Sequence, residues 1–262
     1  MPEYTMNKGG IIQIQPFFDD KEDWLKLAEE ENMGFELIEL SVPPALIESG
    51  LFKAFHDWYK DCGKVTSLHG HFIDVNPASG DPKFRELSRK RCRESCETAI
   101  EMGIKNVVFH TGCAPFLTDG YIDYWSMMAA TFYSGLIKEY DLNIFIENSS
   151  DIHPEALQKL MELIPDERVG VCLDLGHVNY SKAPMEQWFD MLKDRIGYIH
   201  LSDNDSIFDQ HAAIGQGNVD WALADRLYRE LDRDIIFTFE VQNLENVRTS
   251  LEYIRKNGFF DI

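Results

Sequence analysis

Short runs of β-branched and aromatic residues alternate along this chain with longer stretches of helical periodicity. The runs are IIQIQPF from Ile11, FELIEL from Phe35, VTSLH from Val65 and NVVFH from Asn106, then NIFIEN from Asn143, VGVCLD from Val169, IGYIHL from Ile196 and DIIFTFEV from Asp234. Such near-continuous apolar runs suit parallel strands covered on both faces. Between them, Asp81-Pro82 opens a helical stretch from Phe84 to Met102, and Asp119 opens one running towards Tyr140. His153-Pro154-Glu155 precedes Ala156 to Leu163, Pro184 precedes Met185 to Leu192, Asp220 precedes Trp221 to Leu231, and Leu244 to Lys256 closes the series. Asp and Pro belong at such first turns. Eight strand–helix units of roughly 30 residues predict one (β/α)8 barrel over residues 1–262. A doubly wound open sheet would need a Gly-rich phosphate loop after its first strand. Ile11 to Asp19 has none, so no nucleotide cofactor is expected, and no Pro/Gly/Ser-rich linker divides the chain.

In such a barrel the chemistry sits where strands end. His69, His110, Glu147, Asp174, His200 and Glu240 each close, or nearly close, one apolar run, and Asp174-x-x-His177 and Asp209-x-His211 add further groups. Taken singly each has an ordinary explanation. A strand-end His is usually hydrogen-bonded for structure, Asp174 could cap the following helix, and Glu147 could bond the backbone at Asn148-Ser149. Six strand ends sharing one habit point elsewhere, because a buried charge is costly unless paired or coordinating. Mixed His and carboxylate donors without Cys suit a divalent cation: Zn, Mn, Co or Mg.

Charge narrows the partners. With 25 Lys+Arg against 45 Asp+Glu, the formal charge of -20 repels a phosphate backbone and sets nucleic acid low among the expected partners. Lys83, Arg85, Arg89, Lys90, Arg91 and Arg93 form a basic stripe, but Glu86 and Glu94 lie at pairing distance along the same helix, as on a solvated face. No stretch approaches the ~18 apolar residues of a membrane span, and the start lacks a signal-peptide pattern. Cys62, Cys92, Cys96, Cys113 and Cys172 are odd in number and scattered, which reads as reduced thiols in a cytoplasmic protein, Cys92 and Cys96 being small packed residues of one helix.

Glu147-Asn148, CLDLGH from Cys172, HLSD from His200, DQHAAIGQGNVDW from Asp209 and Glu240 in TFEV together resemble the xylose isomerase-like barrel superfamily. That superfamily holds sugar isomerases, sugar epimerases and the endonuclease IV class. In the isomerase and epimerase branch the resemblance implies one divalent metal on Glu147, Asp174, His200 and Glu240. Glu147 and Glu240 would then move a proton through a metal-stabilised enediolate, with His177 and His69 on substrate oxygens. In the endonuclease IV branch it implies three zinc ions on nine ligands, with His69, His110, His177, Asp209 and His211 joining those four. The first strand here lacks the HVS signature of that branch, NSSDIH follows Glu147 in place of an Ala-Gly-Gln-Gly turn, and LGH stands where Thr-Cys-His is usual. The expected function is therefore a metal-dependent isomerase or epimerase of a small sugar or sugar derivative. Phosphodiester hydrolysis stands second, favoured by the full nine-residue set and by the apolar pair Phe72-Ile73, which could wedge into a base stack. A non-catalytic metal- or sugar-binding barrel stands third. Lesser candidates are Glu39, as the end of strand two, His71 as an alternative to His69, and Phe116, Tyr121 and Trp125 as a lid or as packing. Gly215 and Gly217 are read as turn formers, and the apolar tail Gly258–Ile262 as packing on its own barrel.

Overall fold

The computed structural model describes residues 10–41, 50–114 and 119–262. Each apolar run forms a strand: β1 Ile12–Ile14, β2 Gly34–Leu37, β3 Val65–His69, β4 Asn106–His110, β5 Asn143–Glu147, β6 Val169–Asp174, β7 Ile196–Leu201 and β8 Ile236–Phe239. All pair in parallel with their chain neighbours, and β8 returns to β1, closing the barrel. The helices are α1 Lys21–Glu30, α2 Leu51–Cys62, α3 Pro82–Met102, α4 Asp119–Glu139, α5 Glu155–Leu163, α6 Leu175–Tyr180, α7 Met185–Leu192, α8 Trp221–Arg229 and α9 Leu244–Asn257. Among the described residues no helix is long and apolar enough to cross a membrane.

Local chemistry sets the boundaries. Asp81 caps α3 through the Lys83 and Phe84 amides, Asp220 caps α8 through Leu223, and Asn243 caps α9 through Asn246. Each side-chain oxygen satisfies an amide the first turn leaves open. Two elements differ from the sequence pattern. β2 stops at Leu37, and Glu39 opens a short 3-10 turn, Glu39–Ser41, where its carboxylate accepts from the Phe18 amide and the Tyr59 hydroxyl. Glu39 is thus engaged in packing this turn rather than ending a strand. The six-residue α6 was also not foreseen, because LGHVNY carries no apolar periodicity of its own.

Strand alternation divides the residues between two environments. Ile14, Phe35, Leu68, Val107, Phe109, Ile144, Ile146, Val171, Leu173, Ile199, Phe237 and Phe239 pack outward with the helices in one continuous core. The alternate positions fill the barrel. On one side of the lumen Val108, Cys172 and Tyr198 pack with Phe145 and Ile236. On the other, Gln13 bonds Ser67 at 2.9 Å and Tyr198 at 3.1 Å. Continuing each inward row to the strand end reaches His69, His110, Glu147, Asp174, His200 and Glu240, so one parity both fills the barrel and builds its mouth.

The C-terminal tail packs on its own barrel, as expected. Phe260 is fully buried against Trp221, Tyr228 and Phe237 at centroid distances of 6.2, 5.6 and 5.5 Å. Truncating it leaves a cavity between α8 and the outward face of β8, whereas Glu240 continues the inward parity of that strand. Phe260→Ala should cost about 3–5 kcal/mol of unfolding free energy in a urea titration, with metal uptake unchanged.

Candidate metal centre

Strand register brings the mouth residues to one level. His110 pairs with Glu147 across β4 and β5, and Asp174 pairs with His200 across β6 and β7. Glu240 follows β8 directly, its amide bonded to the Leu201 carbonyl at 3.1 Å. Asn148 ties β5 to β6, its side chain bonding the Asp174 amide at 2.8 Å and carbonyl at 3.1 Å. Glu147, Asp174, His200 and Glu240 each offer one ligand atom within 4.8 Å of the others. His200 Nδ1 lies 3.3 Å from Glu147, 3.8 Å from Asp174 and 2.7 Å from Glu240. Ligand atoms about 2.0–2.2 Å from a tetrahedral cation sit roughly 3.4 Å apart, so little movement separates this arrangement from a filled site.

The same four atoms are left without hydrogen bonds. Glu147 Oε1, Asp174 Oδ2, His200 Nδ1 and Glu240 Oε2 are all buried and unpartnered, the close His200–Glu240 approach being off the line a ring N–H would need. Buried polar atoms are normally satisfied, and four failures converging on one point fit an absent cation. Asp174 combines the two roles considered for it, since its Oδ1 caps α6 through the His177 amide while Oδ2 is the orphan.

Electrostatics without a cation show the same need. Burial opposes a charge on His200, but Glu36, Glu147 and Glu240 outweigh it and hold the imidazole protonated well above its ordinary range. Burial likewise opposes the Glu147 and Glu240 charges, and the facing histidines overcome it, taking Glu147 well below its ordinary value and Glu240 down to about 2. Asp174 goes the other way: burial, with Glu240 and Glu147 adding repulsion, raises its carboxyl to about 7 despite His177. Protons thus take the place of a missing positive charge.

The remaining five predicted residues gather around this core. His69 Nε2 stands 3.3 Å and His110 Nε2 3.5 Å from Glu147 Oε2, a second potential cluster that shares Glu147. Beyond them Asp209 Oδ2 sits 3.2 Å from His177 Nε2 and 2.8 Å from His211 Nε2. The loop carrying Asp209 and His211 is folded around buried Asp203, whose carboxylate accepts from the Gly215 and Val219 amides and the Trp221 indole at 2.8, 3.1 and 2.9 Å. Gly215 supplies a left-handed turn with φ +87°. Gly217 serves differently: a Cβ there would meet Asp203 Oδ1 and the Asn204 carbonyl oxygen at 2.3 Å, so the site needs absence of bulk rather than a turn.

Other candidates fall outside the centre. His71 bonds Ser95 at 2.8 Å. Trp125 is fully buried, settling it as helix packing; Tyr121 packs against the same core, and Phe116 lies outside the described residues. Within the basic stripe Arg91 pairs with Glu94, Arg93 with Glu139, and Arg89 lies over the Phe132 ring. A residue the sequence pattern passed over is Glu36, fully buried inside the barrel with its Oε2 3.1 Å from His200 Nε2. Its signal was parity: Phe35 and Leu37 face the helices, so the acid between them faces the lumen.

Comparison with known proteins agrees with this architecture. The family model for the xylose isomerase-like TIM barrel matches residues 27–257. An uncharacterized protein of Methanocaldococcus jannaschii is 28% identical over 200 residues, covering 72% of this chain and 68% of that protein. A probable endonuclease 4 of Mycobacterium marinum is 27% identical over 185 residues, covering 64% and 70%. Among solved structures, a D-tagatose 3-epimerase-like protein superposes with a TM-score of 0.76 at 23% identity, covering 94% of this chain and 96% of its own, a likeness of fold. With the family model spanning most of the chain and the barrel closed as that family requires, this protein belongs to the xylose isomerase-like TIM barrel family.

Proposed function

We propose that this protein is a metal-dependent isomerase or epimerase acting on a small sugar or sugar derivative, with one divalent cation held by Glu147, Asp174, His200 and Glu240. The observation that supports this is the set of four buried atoms without partners, each within 4.8 Å of the others. The outer groups are already served: His177 bonds the Asn148 carbonyl and Asp209, and His211 bonds the Glu240 carbonyl and Asp209. A bound cation would polarise a carbonyl oxygen and stabilise the negative charge that follows loss of the neighbouring proton. Glu240 supplies the proton transfer on the open side, being 7% exposed where Glu147 and Asp174 are at 0%. Glu147 stands across the cluster with its Oε2 towards His69 and His110, of which His110 is kept neutral by burial, at about 4. His177 would hold a substrate hydroxyl by exchanging its Nε2 bond to Asp209 for one to the substrate.

The loops around the mouth favour a small uncharged substrate. Among their described residues Lys182 is the only Lys or Arg, while Asp19, Asp20, Asp74 and Asp205 are all present. A polyanion approaching this rim would find little to bind. The D-tagatose 3-epimerase-like relative in fold is consistent with a ketose.

A second reading, endonuclease IV-like hydrolysis by several zinc ions, rests on one observation: all nine candidate ligands assemble, in three neighbouring groups, two of them sharing Glu147. Of the apolar pair considered for base stacking, Phe72 lies against the His69 and His110 rings at 5.0 and 5.1 Å, leaving Ile73 exposed.

Metal analysis of protein purified without chelator separates the readings, with about one divalent ion per chain expected and about three zinc ions supporting hydrolysis. In heavy water the wild type should exchange the proton beside the carbonyl of a ketopentose or ketohexose, and Glu240→Gln should lower that rate about 100-fold or more. Nicking of abasic-site duplex DNA that disappears in Glu147→Gln would instead establish the hydrolase. The outer pair makes its own prediction under chelation. Burial opposes the His211 charge, but the Asp209 hydrogen bond raises it to about 10. That folded value lies above the unfolded one, so the stabilisation is complete below about pH 6.5 and is lost as pH rises through about 10. Thermal midpoints of the chelated protein should fall over that range, and Asp209→Asn should flatten the slope.

A further inference from the structure

The proposed centre uses His200 through Nδ1, and the question is what fixes that choice. Its other nitrogen, Nε2, meets Glu36 at 3.1 Å deep in the lumen, where both side chains are fully buried. Glu36 is not itself a ligand, because its oxygens are already occupied. Gln15 donates to Oε1 at 2.9 Å, while Thr238 donates to Oε2 at 3.0 Å and the Tyr198 hydroxyl also bonds Oε2. Tyr198 is in turn bonded to Gln13 and Thr238. Donors from β7, from β8 and from Gln15 just beyond β1 thus surround the one carboxylate that β2 places directly behind the histidine.

Packing alone does not account for such an arrangement. Elsewhere the same lumen is filled by Val108, Cys172, Phe145 and Ile236, and apolar residues of similar volume often serve stability at least as well as a buried charge. A carboxylate that keeps one ring nitrogen protonated and leaves the other free is, by contrast, what a ligating histidine requires.

We infer that Glu36 is a positioning residue of the metal centre: it holds the His200 ring so that Nδ1 faces Glu147, Asp174 and Glu240, and it sets how tightly the centre binds a divalent cation. This rests on the four-ligand reading above. A Gln at this position offers a single oxygen, so at least one donor among His200, Tyr198, Thr238 and Gln15 would face an amide NH2.

The test is zinc affinity of the full chain by competition with a chromophoric chelator, together with the visible spectrum of the cobalt-substituted protein. Glu36→Gln should bind zinc about 10- to 100-fold more weakly than wild type and show an altered cobalt band, while Glu36→Asp, which retains the charge, should recover part of the affinity. Unchanged affinity in Glu36→Gln overturns the inference. So does a lowered thermal midpoint with unchanged affinity, which would make the residue purely structural. Should Glu36→Gln fail to accumulate folded, Glu36→Asp decides alone: affinity and cobalt band equal to wild type overturn the inference, and a partial loss supports it. Glu240→Ala keeps the two layers apart. Wild-type zinc affinity in that variant would remove the four-ligand reading itself, and the role of Glu36 with it.

Discussion

Three buried carboxylates converging on one buried histidine is the constraint around which the rest of this structure is arranged. Glu147, Asp174 and Glu240 each place an oxygen within 4.8 Å of His200 Nδ1 and of one another. Such a group is strongly unfavourable without compensating positive charge. Without a cation the surrounding carboxylates push the His200 imidazole above its ordinary range, and burial with repulsion pushes the Asp174 carboxyl up to about 7. Around this the surroundings are tied down by neutral bonds: Asn148 to both backbone groups of Asp174, the Asp174 side chain to α6, and Asp203 to the loop that returns towards the mouth. Within this bonded framework four atoms are left without hydrogen-bond partners. That is the condition in which a cation gains most by binding, because the groups it needs are already desolvated and oriented.

The barrel makes the convergence possible through strand parity. A closed sheet of parallel strands turns every second residue inward, and a strand-end residue on the inward parity overlooks the mouth. This is why the mouth residues stand out so directly in the sequence pattern. His69, His110, Glu147, Asp174 and Glu240 interrupt or terminate apolar runs, and only a strand end near the barrel axis tolerates that. The same logic applies one step deeper, yet Glu36 escaped notice. It lies between Phe35 and Leu37 in a run that also holds Glu39, and the more terminal acid draws the eye although it belongs to a turn. Parity identifies Glu36 only after the direction of Phe35 is known, which is a property of the folded barrel.

Other parts were illegible for related reasons. Helix α6 is six residues long and is held by the Asp174 cap and by its place behind β6 rather than by an amphipathic pattern. Gly217 looks like a turn former in sequence, but its role is set by the approach of Asp203 and Asn204, residues more than ten positions earlier. The basic stripe of α3 was legible in part, because Glu94 lies at helical spacing from Lys90 and Arg91, whereas Glu139, Phe132, Tyr124 and the Pro77 carbonyl come from elsewhere.

The balance between one cation and several turns on how the outer histidines are satisfied. A histidine committed to a metal usually has one nitrogen free and the other bonded to an oxygen. His69 and His177 follow that pattern on the bonded side, with Nδ1 on the Gly70 and Asn148 carbonyls, and His211 with Nδ1 on the Glu240 carbonyl. Their Nε2 atoms, however, already meet Glu147 or Asp209. These pairs are oriented as ligands and also complete without a metal, whereas the inner four atoms are oriented as ligands and complete only with one. Affinity should therefore be graded: at the inner position a cation displaces a proton from His200 and meets four atoms without hydrogen bonds, whereas an outer position fills only where a cation outcompetes the Asp209 hydrogen bonds. An acidic rim with Lys182 as its lone described base is what the proposed reading of a neutral substrate rests on. Additional cations would supply locally the positive charge that the surface lacks, and with it the affinity for a phosphate.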